Sequence, residues 1–418
     1  MADQTMQPPK ESFHLSMLLY DQRYRSLTIQ VVVLIAVLSG FFWLANNAAT
    51  NLAALGKPIR FDFLSDTASY DINQRLIEYK STDSHGRATL VGLLNTLLVA
   101  FMGCVTATVI GVVGGVLRLS KNWLVSRLMT LYVEIFRNVP VLLWILVCMF
   151  TFTALAPQPR AFRGENPEAT MKLWDSVAIT NRGVYIPEPL FSRPLGDIDI
   201  GIFKISLELL LLLALIFGGV FFARWNNARA NQVQADTGER PTTMWVNAAV
   251  IVLPSLAALV ALGFYVGKPE LAGFNFKGGI NMNASLIALW LGLSLYTGTY
   301  IVEAVRSGIE AVSKGQSEAA FALGLRPGLT MSLVILPQAL RIIIPQLISQ
   351  YLNLTKNSSL AIAIGYMDLV STLGGITLNQ TGREMESVLL LMAIYLTISL
   401  LISSGMNWYN SRVKLVER

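Results

Sequence analysis

The sequence is poor in charge, in histidine and in cysteine. Asp, Glu, Lys and Arg make up 14% of its 418 residues, against about 25% in ordinary soluble domains. A water-soluble fold of this length could not cover itself with so few charges. Its two cysteines exclude a disulfide scaffold. Cys104 and Cys148 stand in apolar stretches without a histidine or acid at ligand spacing, and read as core residues. The two histidines, His14 and His85, lie in polar flanks. Glycine shows no three-residue period and apolar residues abound, which excludes collagen and disorder. No G-x-x-x-x-G-K-[ST] occurs, because Gly56-Lys57 and Gly267-Lys268 are each followed by proline. The chain therefore has no P-loop to cradle nucleotide phosphates. With no H-E-x-x-H or G-x-S-x-G either, nothing supports an enzyme.

What the sequence has is apolar length. Hydrophobic residues reach 53% and mean hydropathy is +0.53. A bilayer core of about 30 Å needs about 20 consecutive apolar residues in a helix. Eight runs meet that need: 27–45, 88–117, 128–155, 205–222, 244–266, 284–305, 331–351 and 388–408. A ninth, 360–373, is shorter and carries Asp368, so a re-entrant or surface helix is expected there. The first run follows Arg23 and Arg25 and exceeds the 7–15 apolar residues of a cleaved signal, so it reads as a signal anchor.

Sidedness follows from the connecting segments. Those on the side of the termini hold 15 Lys/Arg and 8 acids, and the opposite, longer segments hold 15 and 14. Basic residues in short loops mark the cytoplasmic face, which places both termini inside. The net charge of +6 suits such a face. The expectation is an all-α integral membrane protein of eight spans. Residues 1–26 are an inner tail, 27–45 an anchor and 46–87 an outer segment. Residues 88–410 form the main transmembrane body, with an insert at 157–282 that carries a proline-rich outer loop and two extra spans. Residues 411–418 form an inner tail.

Two acid–base pairs lie within spans, Glu134-x-x-Arg137 and Glu303-x-x-Arg306. That spacing puts both members on one helix face. Mutual neutralisation in hydrocarbon and a role in a solute path are both open.

The most informative stretch is the inner loop between the sixth and seventh runs, Ser313-Lys-Gly-Gln-Ser-Glu318-Ala319-Ala320-Phe-Ala-Leu-Gly324-Leu-Arg-Pro327. Ser313 and Gln316 fit a capping box, Gly324 fits a left-handed C-terminal cap, and Pro327 stops continuation. The result is a helix of about 10 residues, roughly 15 Å long. Its alanines are small enough for another surface to approach closely.

Glu318-Ala319-Ala320, three residues, Gly324, nine residues, Val334, one residue, Leu336-Pro337 resembles the EAA signature of permease subunits of ATP-binding-cassette importers. Val334 for the usual isoleucine is the one departure. Tyr300 to Ile309, Ile335 to Arg341, Glu134-Ile-Phe-Arg137-Asn138-Val-Pro140 and Lys356-Asn357-Ser358-Ser359-Leu360 resemble the polar amino-acid branch of that family. The extra spans are similar to those of the long permeases of general L-amino-acid importers.

The resemblance implies a type I importer transmembrane domain in a bacterial inner membrane. Glu318, Ala319, Ala320, Gly324, Leu336 and Pro337 would couple it to a cytoplasmic ATPase. Glu134, Arg137, Asn138, Pro140, Glu303, Asn357, Ser358 and Ser359 would line the substrate path. Ser358 and Ser359 are equally readable as a capping pair for the segment from Leu360. Asn357 stands where relatives that handle cations often have Asp, which favours a broad substrate range. Implied partners are a second, homologous permease, two ATPase subunits, an extracytoplasmic amino-acid-binding protein, the amino acid and the lipid bilayer, with no nucleic acid. ATP and Mg²⁺ would be used by the ATPase, and this chain would bind no cofactor or metal. The rival is an ion-coupled secondary amino-acid carrier, which would leave the EAA loop without a task. Pro337 and Pro345 read as hinges or as static kinks in the seventh span.

Overall fold

The computed structural model describes residues 17–413 apart from 55, 57, 165 and 202. Most of the expected tail 1–26, with His14, and residues 414–418 of the inner tail lie outside the described residues.

The chain forms two units, Met1–Asp62 and Phe63–Arg418. The first holds α1 (Met17–Tyr20) and α2 (Gln22–Ala54). α2 contains the expected anchor 27–45 and runs past it at both ends. No residue in its most apolar window is buried. A helix that shows apolar side chains on every side is suited to lipid.

The second unit carries α3 (His85–Arg118), α4 (Trp123–Arg137), α5 (Val141–Leu155), α6 (Leu207–Thr237), α7 (Met244–Ala261) and α8 (Ala284–Glu310). It continues with α9 (Lys314–Ala322), α10 (Pro327–Thr330), α11 (Leu336–Asn357), α12 (Leu378–Thr381) and α13 (Glu384–Val413). Among the described residues, eight helices are long and apolar enough to span a bilayer, as the sequence predicts.

α8 packs against α3, α4, α5 and α11. Lipid is as apolar as leucine, so helices in a bilayer associate where small residues let backbones come close. Gly111, Gly114 and Gly115 make that possible on α3. A Cβ at these positions would lie 2.3, 2.7 and 2.7 Å from Ile301, Val302 and Val305 of α8. Gly292 of α8 receives the backbone of Ile145 on α5 in the same way. The resulting core includes Val99, Ala107, Ile145, Leu289, Leu293, Ile301, Ala339 and Leu354.

Two sequence expectations are corrected. The run 128–155 is two helices, α4 and α5, interrupted at Asn138-Val139-Pro140. Pro140 lacks an N–H and disfavours helical geometry in the residue before it. The outer segment 46–87 also divides: residues to 54 continue α2, whereas Phe63, Ala68, Ile72 and Tyr79 are buried in the second unit. There Ala68, Ile72 and Tyr79 pack with Ala88 and Val91 of α3.

The short run 360–373 is not one continuous helix. It is a 3-10 turn over Ser358–Ile364, a reversal at Gly365 (φ +69°) and a π-helical turn over Val370–Thr377. Gly92 of α3 receives it, since a Cβ there would stand 2.1 Å from Thr372 Oγ1.

The insert adds short strands to an otherwise helical fold: β1 (Ala178–Thr180), β2 (Gly183–Ile186), β3 (Glu188–Phe191), β4 (Asp197–Asp199), β5 (Lys204–Ser206), β6 (Phe264–Gly267), β7 (Glu270–Ala272), β8 (Asn275–Lys277) and β9 (Ile280–Asn283). β1, β2 and β9 form an antiparallel sheet, with Gly183 opposite Asn283 and Ile186 opposite Ile280. β3 pairs with β6, so the insert's two ends are tied together across α6 and α7. The α6–α7 hairpin closes through Gly219, whose Cβ would meet Ile251 Cα at 2.9 Å. Asn226 Nδ2 donates to Asn247 Oδ1 at 2.8 Å, and Thr243 Oγ1 donates to Asn227 Oδ1 at 2.7 Å.

Candidate functional site

α9 follows the C-terminal end of α8. Ser313 stands at its N-cap with extended backbone, but its side chain makes no cap bond, so the expected capping box does not form. Gln316 turns away instead, and its Oε1 accepts from Gln338 Nε2 of α11 at 3.3 Å. The C-terminal cap does form. Gly324 sits at φ +77°. Its N–H donates to Phe321 O at 2.9 Å, and Leu325 N–H donates to Ala320 O at 3.1 Å. This two-bond pattern is the Schellman arrangement, which ends a helix at a left-handed residue. Pro327 then opens α10 as its first residue.

The cap fixes which side chains the loop presents. Ala320 is buried, while Glu318, Ala319 and Phe321 are exposed and Leu323 is 82% exposed. Glu318, Ala319, Ala320 and Gly324 therefore belong to one short, stiff element. Leu336 and Pro337 begin α11 beyond a π-helical turn over Met331–Ile335, with Leu336 N–H donating to Met331 O. A π turn is a common way for a helix to absorb a disturbance in its ladder.

The charged groups in the bundle are arranged differently from the sequence expectation at one pair and as expected at the other. Glu134 and Arg137 do not pair. Asn138 Nδ2 donates to Glu134 Oε2 at 3.1 Å, while the Arg137 guanidinium lies 5.1 Å from the ring centre of Tyr300 on α8. α4 ends at Arg137, which lets that side chain cross to α8. Tyr300 and Tyr296 hydroxyls are 2.9 Å apart, Tyr132 OH donates to Leu295 O at 2.6 Å, and Phe136 stacks on Trp144 at 4.1 Å. Pro140 stands at the N-cap position of α5 without a side-chain cap bond.

Glu303 and Arg306 do pair, at 2.5 Å, and Arg306 also bonds Glu310 at 2.5 Å. Arg118 of α3 joins Glu303 from the other side. Sequence spacing could not find Arg118, because only the α3–α8 contact brings it there. In hydrocarbon such a network lowers the cost of each charge by sharing it.

Asn357 ends α11, and Ser358 and Ser359 follow. Ser358 Oγ donates to Thr355 O and Ser359 Oγ to Lys356 O, both at 2.7 Å. Neither caps the segment from Leu360, because the chain passes from α-helix into the 3-10 turn without the extended residue that a cap needs. No described hydrogen bond joins Asn357, Ser358 or Ser359 to Glu134, Arg137 or Asn138, so the path candidates form two separate groups. Asp368, a lone acid in an apolar run, is fully buried, and its Oδ1 accepts from Ser371 N–H at 2.8 Å.

Residues 240–415 match the family described as binding-protein-dependent transport system inner membrane component. The glutamate/glutamine/aspartate/asparagine transport system permease protein BztB of Rhodobacter capsulatus is 56% identical, over 98% of this chain and 99% of its own length. The general L-amino acid transport system permease protein AapQ of Rhizobium johnstonii is 44% identical, over 96% of this chain and 95% of its own. The putative amino-acid ABC transporter permease protein YhdX of Escherichia coli is 44% identical over 94% and 95%. A solved amino acid ABC transporter with histidines is similar with a TM-score of 0.42 at 17% identity, over 78% of this chain and 95% of that one. The chain is thus a multi-pass member of the binding-protein-dependent transport system inner membrane components, with the type I fold of amino-acid ABC importer permeases.

Proposed function

We propose that this permease is driven through α9 by a separate pair of cytoplasmic ATPase subunits. The observation that carries this reading is the exposed, rigidly capped helix Lys314–Ala322, which presents Glu318, Ala319, Phe321 and Leu323 outward at one end of the bundle. A chain without a P-loop must receive force by contact, and a short helix transmits displacement better than a loop. ATP and Mg²⁺ would be consumed in the partner, and this chain would bind neither.

The basic side with α9 and both termini is the cytoplasmic face of a bacterial inner membrane. A second, homologous permease completes the wall of the path, and an extracytoplasmic binding protein delivers the substrate. Residues 88–410 act as the transporting body, with 157–282 as an insert and 27–45 as a separate anchor. The substrates are α-amino acids. The relatives named for glutamate, glutamine and general L-amino acids support that class. Arg137, Asn138, Asn357, Ser358 and Ser359 supply polar contacts along the path, with Glu134, Pro140 and Glu303 shaping it.

Gly324→Leu and Glu318→Lys test the reading. A bulky residue at φ +77° costs about 1–2 kcal/mol and undoes the cap. The lysine keeps the helix and reverses one surface charge. Both variants are expected to lose co-purification with the ATPase or to uncouple hydrolysis from uptake. Wild-type coupling in both, or uptake that survives ATP depletion and collapses with a proton ionophore, would overturn the proposal in favour of an ion-coupled carrier.

A further inference from the structure

The face shared by α5 and α8 holds a groove of about 950 Å³. That is the upper end of the range of small-molecule clefts, about 300–1,000 Å³. Its walls include Val147 and Leu155 of α5 and Leu291 and Leu295 of α8, and its inner end lies at the stacked pair Phe136 and Trp144. From Trp144 to Leu155 the helix rises about 16 Å. One leaflet of hydrocarbon is about 15 Å, half of the bilayer core. The groove has the depth of one layer of lipid tails.

Its polarity is graded along that depth. Among the described residues, Glu168 and Lys172 are the only charged members of the lining, and both belong to the segment that follows α5 and roofs the outer end. The roof is fixed to the insert. Asn181 N–H donates to Pro157 O at 2.9 Å, and Phe162 meets Phe276 edge-on at 5.2 Å. Glu168 and Lys172 are exposed, and neither is in an ion pair among the described residues.

Beside the roof the backbone is strained. Leu173, Trp174 and Asp175 lie at φ +50°, +57° and +56°. Side chains at positive φ are uncommon, and three in succession persist only where other bonds hold them. Here Lys172 N–H donates to Val177 O at 2.8 Å, and Lys268 Nζ donates to Trp174 O at 2.8 Å. The turn leaves Trp174 90% exposed and Leu173 66% exposed. Tryptophan is enriched where membrane meets water, and lysine binds phosphate as a point charge.

We infer that this groove holds one acyl chain of an outer-leaflet glycerophospholipid, with the lipid phosphate at Lys172 and an ammonium headgroup at Glu168. The walls alone do not select that lipid from its neighbours, because lipid tails are as apolar as leucine. The roof selects it, by offering two opposite charges at headgroup depth. A free amino acid is disfavoured, since below the roof it would meet only the indole of Trp144, the thiol of Cys148 and the hydroxyl of Thr151 as polar groups. The start of the insert thereby acts as a clamp on a lipid. The site asks only that the chain span a membrane, and the choice of leaflet rests on the orientation proposed above.

The test uses the whole transporter in bilayer nanodiscs doped with a phosphatidylethanolamine that carries a photoreactive diazirine midway along one chain. After irradiation, labelled peptides are located by mass spectrometry. Label on Trp144–Leu155 is expected to exceed several-fold that on α7, none of whose apolar window is buried and which reports ordinary surrounding lipid. Val147→Trp fills the groove and should bring its label down to the α7 level. Should that variant not assemble, Thr151→Trp fills the groove from the next turn. Lys172→Gln should lower the label roughly two- to fivefold, the worth of one exposed ion pair. A phosphatidylglycerol probe, which lacks the ammonium, should label the groove less, and Glu168→Gln should erase that difference. Label no higher than on α7, or unchanged by the filling variant, would overturn the site, another polypeptide or freely exchanging lipid then covering this face. Equal labelling by the two headgroups would overturn the pairing at the roof. The leaflet is checked separately, by the reaction of Lys172→Cys with an impermeant thiol reagent in right-side-out and inside-out vesicles, against the unsubstituted transporter. Reaction from the cytoplasmic side alone, with the groove still labelled, would overturn the orientation and leave the lipid site standing.

Discussion

α8 and α7 are both long enough to cross a membrane, yet they occupy opposite environments. Sixty-seven per cent of α8's apolar window is buried, and none of α7's is. α8 is nevertheless the least hydropathic of the eight spanning helices. In water the most apolar helix goes to the core. In a bilayer the apolar surface has lipid as an equal alternative, so burial follows small residues and polar partners. α8 has Gly292, Gly298 and Gly308 at close contacts, and carries Tyr296, Tyr300 and the Glu303 network. α7 offers an almost unbroken apolar surface and packs on α6 alone among the long helices it touches, through Gly219 and a few asparagines. The most buried of the spanning helices is thus marked by what it lacks in hydrophobicity.

The strongest way to break that contrast is one methyl group placed in each region. Gly111→Ala puts a Cβ 2.3 Å from Ile301, and overpacking of this kind costs about 1–3 kcal/mol or more. Gly218→Ala on α6 meets nothing within 4 Å and should gain about 0.5–1 kcal/mol from helix propensity. Thermal unfolding of the purified complex should therefore shift in opposite directions. Matching shifts would mean that α3 and α8 are not the tight pair described.

A second intervention is Glu303→Gln, which leaves Arg118 and Arg306 without their shared carboxylate. The side chains are half-buried, so the loss should fall between the exposed-pair value of about 0–1 kcal/mol and the buried-pair value of about 3–5 kcal/mol. Adding Arg118→Met should recover part of it. A double variant no better than the single would show that the two groups do not act together. The mildest change sharpens the α7 side: Asn226→Ala removes one interhelical bond, worth about 0.6 kcal/mol in a membrane setting. A much larger drop in unfolding midpoint would make the α6–α7 hairpin more than a peripheral addition.

How much could be read beforehand varies with the range of the interaction. The Gly324 cap was legible because it needs a left-handed residue followed by a stop, all within a few positions. The Ser313–Gln316 box failed because a tertiary partner, Gln338, claimed the glutamine. Glu303–Arg306 was legible at three residues' spacing, and Arg118 was invisible because it arrives from another helix. The strands of the insert are three or four residues long, too short for alternation to show. The roofed groove is assembled from segments as far apart as Phe136 and Leu295, and no local pattern announces it.

Local information in the chain sets the eight apolar spans and the left-handed cap that ends the short helix Lys314–Ala322. Each of these is set by side-chain transfer or by backbone geometry over neighbouring residues, which a linear reading contains. Only the tertiary structure decided that α8 is the buried helix, that Arg137 leaves Glu134 for Tyr300, and that the start of the insert roofs a groove on α5 and α8. Those outcomes depend on which backbones can approach, and in a bilayer that is decided by glycine contacts between helices rather than by hydrophobicity.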